Sequence, residues 1–368
     1  MVQKNALHIN SYFLTNKIHY NFLKEITKHR QDKFLIPVYK SFREKHIEGM
    51  DIDYVYSGID KKLFFTKIFK VIYLFYKKKF NNKHIDYIHA HTLISDGIPA
   101  YLLSLRIRKK YVATVRGTDV NFFIEKSSMF KSFAKTILSN ASIVFFVSPS
   151  YRERIKVIYP EIDSTKFLLL PNGIDAFWGE NIHEKKIENN KFEKVNLLFV
   201  GRVSKQKNLE LLLNFLRNYD DRLYNLTIVG PNDLNWDFDS LSQTLRKGNT
   251  INYVGEVKDM KRLLDIYRSN DIFVMLSPSE TFGVVYIEAL TQGLPIIYTR
   301  GDGIDGYFEE GEVGYSCDHN SVEELKERID LTCSRYDIIC KNTRKSIKGF
   351  KWDYLVKQYI DHVNAALN

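Results

Sequence analysis

Short apolar, β-branched runs alternate with longer segments of helical periodicity along almost the whole chain. In the first half these runs predict the strands ALHIN (6–10), FLIPV (34–38), YVYS (54–57), YIHAH (87–91), VATV (112–115), IVFFV (143–147) and FLLL (167–170). In the second half they predict NLLFV (196–200), LTIVG (226–230), INYVG (251–255), IFVML (272–276) and PIIY (295–298). Because strand, helix and strand alternate in both halves, the sequence predicts an α/β protein with two Rossmann-like, doubly wound parallel sheets.

The length of the chain and one polar segment indicate where two domains divide. A chain of 368 residues exceeds what a single hydrophobic core usually organises. The segment 176–196 is polar, charged and without apolar period, which is typical of a linker. We therefore expect a first domain at 1–178, a second at 190–349, and a C-terminal helix at 350–368 that packs back on the first. Domains of this kind are expected to face a central cleft, with ligands at the carboxyl ends of the strands.

Charge and cysteine content narrow the class of protein. Residues 1–178 hold 29 Lys and Arg against 15 Asp and Glu, whereas residues 179–368 hold 25 against 29. This asymmetry predicts an anionic partner for the first domain. The cysteines are too few for a disulfide framework or a zinc site, and the N-terminus does not read as a signal peptide. No apolar run reaches the ~18 residues that span a bilayer, so a cytoplasmic protein is expected.

The first candidate for chemistry is the segment FVGRVSKQKNLELLL (199–213), in which a buried strand ends at Gly201. Arg202 follows at once, and Lys207 lies near the start of a predicted helix, whose free N–H groups favour an anion. A planar arginine and a mobile lysine are complementary ligands for a diphosphate. The alternative is a solvated surface loop.

The second candidate is SPSETFGVVYIEALTQGLPII (277–297), which places Glu280 and Glu288 eight residues apart. Gly283 precedes a predicted helix that runs to about Gln292, with Gly293 as its cap. Glu280 lies in the loop, where it can hold sugar hydroxyls, and Glu288 lies in the helix, where it can accept hydrogen bonds from a ribose. The alternative is one acid that complements the helix dipole and one surface acid.

These motifs, together with LPNGID (170–175), resemble the retaining glycosyltransferases of family 4, which have the GT-B fold. Weaker matches are spread along the chain: HAHTLISDGIPA (89–100), TVRGTDV (114–120), FVSPSYRERI (146–155), LTIVGPN (226–232) and DGIDGYFEEGEVGYS (302–316). The resemblance therefore covers nearly the whole chain. It implies that the first domain holds an acceptor and the second a nucleotide-sugar donor.

The resemblance also implies roles for particular residues. Arg202, Lys207 and Glu280 would serve catalysis. The implied donor-binding residues are Gly201, Arg202, Lys207, Glu280, Thr281, Phe282, Gly283, Val284 and Glu288. Among them, Arg202 and Lys207 would meet the diphosphate, Glu288 the ribose, and Glu280 with the backbone of 281–284 the sugar.

Two positions on the acceptor side depart from the family pattern. The loop after the first strand, 10–21, lacks the glycines common in the family, although Tyr12, Asn16 or Lys17 could reach the cleft by side chain. Arg116 stands where a histidine is usual; it cannot act as a base, but it can bind an acceptor hydroxyl or phosphate. Asp119 is either an acceptor ligand or a turn-capping residue. The acceptor-side candidates are thus Asn16, Arg116 and Asp119.

Two other features admit a structural or a functional interpretation. His89 and His91 have a metal-ligand spacing, but with no further cluster in the sequence we favour structural or cleft-lining roles and no metal. The segment 61–83 has eight lysines and no acid around an apolar centre. It predicts either a basic helix that meets anionic lipid or a crossover helix docked on the first sheet.

The leading hypothesis is a retaining hexosyltransferase of cell-surface polysaccharide biosynthesis. It would move a sugar from a nucleotide diphosphate donor, UDP being favoured by the resemblance, to a glycan or lipid-linked glycan. We expect no cofactor beyond this co-substrate, no nucleic acid partner, and a peripheral position on the inner face of the cytoplasmic membrane. The alternatives are a nucleotide-sugar-binding subunit without turnover and a sugar-nucleotide epimerase or hydrolase.

Overall fold

The computed structural model describes residues 4–42, 50–80, 82–185 and 192–367. The chain forms two compact units, Met1–Gly173 with Trp352–Asn368, and Ile174–Lys351. The chain thus changes unit at residue 174, before the predicted linker at 176–196. The start of that segment belongs to the second unit, because Trp178 is buried in the core of that unit, and its residues 186–191 lie outside the described residues.

The first unit is built on a seven-stranded parallel sheet in the order β3-β2-β1-β4-β5-β6-β7. Its strands are β1 Ala6–Ile9, β2 Lys33–Tyr39, β3 Ile52–Tyr56, β4 Tyr87–Ala90, β5 Lys110–Val115, β6 Ile143–Phe146 and β7 Phe167–Leu169. Its helices are α1 Lys17–Ile26, α2 Ile59–Lys62, α3 Phe64–Lys77, α4 Gly97–Ile107, α5 Ser128–Asn140, α6 Pro149–Ile158 and, at the end of the chain, α14 Trp352–Leu367. Apolar clusters fill both faces of the sheet, and α14 packs against α1 on one of them.

The second unit is built on a six-stranded parallel sheet in the order β10-β9-β8-β11-β12-β13. Its strands are β8 Lys194–Val200, β9 Leu223–Val229, β10 Thr250–Gly255, β11 Ile272–Met275, β12 Ile296–Thr299 and β13 Gly314–Cys317. Its helices are α7 Ala176–Glu180, α8 Leu209–Asn218, α9 Phe238–Ser242, α10 Met260–Arg268, α11 Val284–Thr291, α12 Val322–Ser334 and α13 Tyr336–Ser346. All of β11 and the residues Val195, Leu197, Leu198 and Phe199 of β8 are buried in the apolar core of this unit, as is typical of central strands in a parallel sheet.

The predicted fold class is confirmed: both units are Rossmann-like α/β units on parallel sheets. Two details differ from the sequence prediction. β13 was missed, because GYSC has no apolar run. The lysine-rich segment 61–83 is also not one helix, since Leu63 (φ −108°, ψ 86°) separates α2 from α3. In the part of the chain that the structure describes, every helix is too short or too polar to cross a lipid bilayer.

Candidate functional site

The two central strands of the second unit bring the two predicted motifs to one edge of its sheet. β8 and β11 are hydrogen-bonded neighbours, and the order of the strands reverses between them. Because all strands are parallel, the loops that follow β8 and β11 leave the sheet at the same edge. This is a topological switch point, the place where open α/β sheets bind ligands.

The loop after β8 begins where two backbones lie unusually close. A Cβ atom on Gly230 would lie 2.1 Å from the carbonyl oxygen of Gly201, so this contact requires glycine. The next residue, Arg202, has a side chain that is 65% exposed and lies 3.7 Å from Asp233, measured from Nη1 to Oδ2. An exposed pair of this kind contributes little to stability, which leaves the guanidinium available to an anion.

Lys207 and Glu280, predicted to bind different parts of a donor, contact each other. Lys207 Nζ donates a hydrogen bond to Glu280 Oε2, and the two side chains are only 18% and 16% exposed. Glu280 Oε1 also accepts the N–H of Thr281 at 3.1 Å. The pair holds a cation and a carboxylate side by side at the switch point. A diphosphate near Lys207 would compete with Glu280 for its ammonium group.

Asp302, which the sequence analysis did not single out, fixes the loop that carries Glu280. Its Oδ1 accepts the N–H of Glu280 at 3.1 Å and the N–H of Gly303 at 2.8 Å. Gly303 N–H also donates to the carbonyl oxygen of Glu280 at 3.1 Å. The residue lies in the weakly matching stretch DGIDGYFEEGEVGYS, so spacing alone carried no signal for this role.

Gly283 and Glu288 mark the start and the interior of α11. Gly283 has φ +79°, and a Cβ atom there would lie 2.4 Å from the ring of Tyr286. Glu288 Oε2 accepts a hydrogen bond from the buried hydroxyl of Tyr267 at 3.2 Å. Burial and the nearby Glu288 carboxylate raise the pKa of Tyr267, so Tyr267 remains a neutral donor. Glu288 is therefore oriented by α10, the helix that carries Tyr267.

The other predicted donor residues are divided between core and surface. The ring of Phe282 is buried in the apolar cluster of the second unit, which leaves its backbone as the part available to a ligand. Thr281 and Val284 are half-buried. The sequence prediction assigned the backbone of 281–284 to the sugar, and this assignment stays a prediction.

Asn208 is a second site residue: the sequence placed it with Lys207 near the start of a helix but gave it no role. It has the left-handed conformation, φ +51° and ψ +40°, which asparagine tolerates better than most residues. Its Nδ2 donates to the carbonyl oxygens of Leu276 at 3.1 Å and His319 at 2.7 Å. Asn208 thereby ties the loop of Lys207 to the end of β11.

We expect Asn208→Gly to lower the free energy of unfolding by about 1–3 kcal/mol, since two hydrogen bonds are lost. Asn208→Ala should cost about 1–2 kcal/mol more, because alanine does not favour the left-handed conformation. Urea unfolding measures both values. Asn218→Ala, at the exposed end of the same helix, is the control and should stay within about 0.5 kcal/mol of the unchanged protein. Equal stability of the glycine and alanine variants would contradict the backbone argument.

In the first unit, Arg116 is held by the protein itself. Its Nε donates to the carbonyl oxygen of His91 at 3.0 Å, and its Nη1 donates to Asn172 Oδ1 at 3.1 Å. Burial lowers the pKa of Arg116 to about 10, so it remains charged at neutral pH. The cavity beside it, bordered also by Trp352, has a volume of about 20 Å³. This is room for about one water molecule and too little for a sugar.

Asp119 has the contacts of a turn-capping residue. Its carboxylate accepts the backbone N–H groups of Leu93 at 3.0 Å, Ile94 at 3.1 Å and Arg116 at 3.0 Å. The side chain is buried, and burial raises its pKa to about 6. Of the two interpretations of Asp119 that the sequence left open, the geometry favours the structural one.

The glycine-free loop after β1 forms turns that lead into α1. Asn16 is exposed and caps this helix, since its Oδ1 accepts the N–H of Ile18 at 2.9 Å. Tyr12 is half-buried, and burial raises the pKa of its hydroxyl to about 12, while Lys17 is exposed. The local contacts of Asn16 explain its residue type by helix capping. A role at an acceptor stays a prediction.

His91 belongs to a buried cluster that also contains His8, a residue the sequence analysis did not consider. His8 Nδ1 lies 3.0 Å from His91 Nε2, and His8 Nε2 lies 3.0 Å from Asp32 Oδ2. Asp32 thus orients His8, which in turn orients His91. The contact was not visible in the sequence because 83 residues separate His8 from His91.

His89 completes the cluster. Its two nitrogens lie 3.0 Å from Thr114 Oγ1 and 3.0 Å from the hydroxyl of Tyr359. Burial lowers the pKa of His89 and of His91, which keeps both imidazoles neutral. The nitrogens of His8, His89 and His91 lie within 4.8 Å of one another, close enough for a shared metal ion. Hydrogen bonds already engage both nitrogens of His8 and His89, so the contacts favour a structural role.

Two family models match successive parts of the chain. The model described as "Glycosyltransferase Family 4" matches residues 40–176, and the model described as "Glycosyl transferases group 1" matches residues 181–348. Together they span most of both units. The matches include every predicted donor residue of the second unit and, in the first unit, Arg116 and Asp119.

Curated relatives align with most of the chain at low identity. The alpha-monoglucosyldiacylglycerol synthase of Acholeplasma laidlawii is 23% identical over 327 residues, 80% of this chain and 80% of that protein. The N-acetyl-alpha-D-glucosaminyl L-malate synthase of Bacillus anthracis is 26% identical over 289 residues, 75% of this chain and 74% of that protein.

Solved structures share the fold. The crystal structure of Anabaena Alr3699/HepE in complex with UDP superposes with a TM-score of 0.72 at 16% identity. The superposition covers 98% of this chain and 100% of that one. The same protein was also crystallised with UDP-glucose, and that structure superposes with a TM-score of 0.67 at 16% identity, covering 98% of this chain and 99% of that one. At this identity the likeness shows the fold alone.

Proposed function

Because the chain belongs to the group 1 glycosyltransferases of the GT-B fold and resembles family 4, we propose that it is a retaining hexosyltransferase with a UDP-sugar as donor. The acceptor in this proposal is a glycan or lipid-linked glycan of cell-surface polysaccharide biosynthesis. The second unit binds the donor and the first unit binds the acceptor.

The observation that carries the proposal is the meeting of Lys207 and Glu280 at the switch point, with Arg202 exposed on the loop between β8 and Lys207. Two cations on a loop at the edge of the sheet where α11 begins suit a diphosphate, since the helix N-terminus adds its own positive potential. Glu280 lies at the same place as a hydrogen-bond acceptor for sugar hydroxyls. Glu288, oriented by Tyr267, supplies an acceptor for a ribose.

The charges of the site suit the departure of a phosphate. As the bond between the sugar and the diphosphate breaks, negative charge grows on the phosphate oxygen and positive charge on the sugar. Arg202 and Lys207 stabilise the negative charge on the phosphate, which is preorganised electrostatic catalysis. The acceptor oxygen forms the new bond on the face that the phosphate leaves, and its proton passes to the departing phosphate. Glu280 positions the sugar in this scheme and forms no covalent bond.

The choice of UDP and of the acceptor is supported by relatives. HepE, which has this fold, was crystallised with UDP and with UDP-glucose. The Acholeplasma relative is named as a synthase of a glucosylated diacylglycerol, which supports a lipid-linked acceptor. On this proposal the protein works at the inner face of the cytoplasmic membrane. The nucleotide sugar is its co-substrate, and the proposed reaction uses no metal or other cofactor.

A donor screen tests the proposal. A nucleotide sugar present at about 100 times its Kd should stabilise the folded protein by about 2.7 kcal/mol, or about 5–11 °C in Tm. We expect this shift with UDP-sugars, and a smaller one with the sugars of other nucleotides. The donor that shifts Tm is then incubated with and without glycan acceptors, and NMR of the products gives the anomeric configuration.

Each alternative has its own result in this screen. Release or epimerisation of the sugar with no acceptor present would indicate a hydrolase or an epimerase. Donor binding without product across the acceptor panel would indicate a binding subunit. A product with inverted configuration would contradict the retaining mechanism.

A further inference from the structure

One face of the first unit exposes large apolar side chains. Four aromatic residues of α3 are exposed by 40%, 72%, 63% and 51% respectively: Phe65, Phe69, Tyr73 and Tyr76. Their spacings of four, four and three residues place them along one stripe of the helix. On α4, Leu102 and Leu105 are exposed by 42% and 61%. Single exposed apolar residues are common, but a contiguous group marks an interaction site.

This face contains a groove between α3, α4 and α5. Its volume is about 300 Å³, at the lower end of the range of ligand pockets. The side chains that line it are almost all apolar and include Phe65, Phe69, Tyr101, Leu102, Phe133 and Thr136. A groove of this composition can bind a hydrocarbon chain, but it has too few hydrogen-bonding groups to bind a sugar.

The helices around the groove are basic and contain no acidic residue. Their sequences hold three lysines in α3, one arginine in α4 and two lysines in α5, with no Asp or Glu in any of them. Two of these lysines are already ion-paired with acids of neighbouring segments, Lys70 with Asp60 and Lys135 with Glu161. Arg106 follows Leu102 by one helical turn, so it lies on the exposed side of α4. Lys77, which is exposed, ends α3 next to Tyr76, and the exposed Lys62 ends α2 just before α3 begins. The partner of this face should therefore be both apolar and anionic.

We propose that the face formed by α3, α4 and α5, called here the lipid face, binds the surface of an anionic lipid bilayer. Phe69 and Tyr73 enter the boundary between head groups and acyl chains, and the groove holds one acyl chain. Lysine and arginine side chains extend from the apolar stripe to the phosphates, as they do in interfacial helices. The lipid face goes beyond the proposed sugar transfer, because it binds lipid without donor or acceptor.

A second copy of the chain is a poorer partner for the lipid face. Two copies paired through it would bring Lys62, Lys77 and Arg106, which are exposed, close to the same cations of the other copy. Like charges in contact disfavour such a dimer. An anionic bilayer satisfies both the charge and the apolar surface.

Sedimentation of the full chain with vesicles tests the proposal. We expect binding to phosphatidylcholine vesicles that contain phosphatidylglycerol, and much weaker binding to phosphatidylcholine alone. The double variant Phe69→Ser with Tyr73→Ser should bind the anionic vesicles about tenfold more weakly or worse, since apolar burial is lost. Val157→Ser is the matched control, because Val157 is 80% exposed on α6, away from the lipid face, and should bind as the unchanged protein does.

A fluorescence measurement distinguishes insertion of the aromatic side chains into the bilayer from binding of the protein to its surface by charge alone. Phe69→Trp places an indole on the lipid face, and Val157→Trp places one elsewhere. Lipids brominated on the acyl chain should quench the additional emission of Phe69→Trp and leave that of Val157→Trp unchanged. Thermal unfolding of each variant verifies that it is folded, which is expected because the replaced side chains are exposed.

Two results would overturn the proposal. One is unchanged vesicle binding by the Phe69→Ser, Tyr73→Ser variant. The other is a change of oligomeric state in that variant, measured by light scattering, without loss of vesicle binding, which would assign the face to a second copy. Donor binding in the thermal-shift assay is measured without lipid, so failure of this proposal and failure of the proposed function are distinguishable.

Discussion

Lys207→Ala and Arg202→Ala are each expected to lower kcat/KM for sugar transfer by about 30- to 900-fold, or on the order of 2–4 kcal/mol. Each variant removes a cation that meets the charge growing on the leaving phosphate. For Lys207 a second effect adds to the loss, because the poorly exposed Glu280 would lose its hydrogen-bonded partner. Steady-state kinetics with the donor found in the screen measures both effects.

Lys205→Ala is the matched control for this prediction. Lys205 lies two residues before Lys207 on the same loop, and its side chain is exposed. Its removal changes the net charge of the loop by the same amount, so it should lower kcat/KM by less than about threefold. Near-normal sugar transfer by both Arg202→Ala and Lys207→Ala would contradict the proposal that these two residues bind the diphosphate. An equal loss of kcat/KM in Lys205→Ala would show that the net positive charge of the loop matters, and not the particular positions of Arg202 and Lys207.

Gly230→Ala is expected to destabilise the second unit by about 3 kcal/mol or more, which corresponds to about 6–12 °C in Tm. Two causes act together. Gly230 has φ +139°, a region that alanine rarely adopts, and the added Cβ would lie 2.1 Å from the backbone oxygen of Gly201. A backbone atom cannot move aside as a flexible side chain can. Since Arg202 follows Gly201, weaker donor binding should accompany the loss of stability.

Two other glycines separate these causes. Gly255→Ala introduces alanine at φ +79° with nothing within 4 Å of the new Cβ, so it should cost only the backbone strain, about 1–2 kcal/mol. Gly349→Ala has neither an unusual φ nor a neighbour within 4 Å and should change stability by less than about 0.5 kcal/mol. Urea unfolding of the three variants measures how much each substitution lowers the free energy of unfolding. A Gly230→Ala protein as stable as Gly255→Ala would show that the two loops can move apart.

The alternation of apolar runs and helical periods predicted twelve of the strands, because buried parallel strands are continuous apolar runs. The strand GYSC was missed for the same reason, since glycine, serine and cysteine do not form such a run. Gly314 is required by the tertiary structure: a Cβ there would lie 1.8 Å from the carbonyl oxygen of Ile296 on the neighbouring strand. That contact joins residues 18 positions apart and has no local signature.

The break between α2 and α3 at Leu63 is also caused by tertiary contacts and not by the local sequence. No glycine or proline marks it in the sequence. It lets Asp60 of α2 accept hydrogen bonds from Thr66 and Lys70 of α3, each at 2.6 Å. The energy of these contacts favours two helices over one, although the intrinsic propensity of 61–83 is helical.

By itself the sequence determined the two α/β halves, the family resemblance, the position of Gly201, Arg202, Lys207 and Glu280 in loops that follow strands, and that of Glu288 in the next helix. These properties follow from periodicity and short spacing, which are local. Only the tertiary structure showed that Lys207 pairs with Glu280 and that Asp119 caps a turn. It also revealed the roles of Asp302 and Asn208 and the apolar face of α3. Strand order and long-range hydrogen bonds decide such contacts, and they join residues tens of positions apart that no local pattern connects.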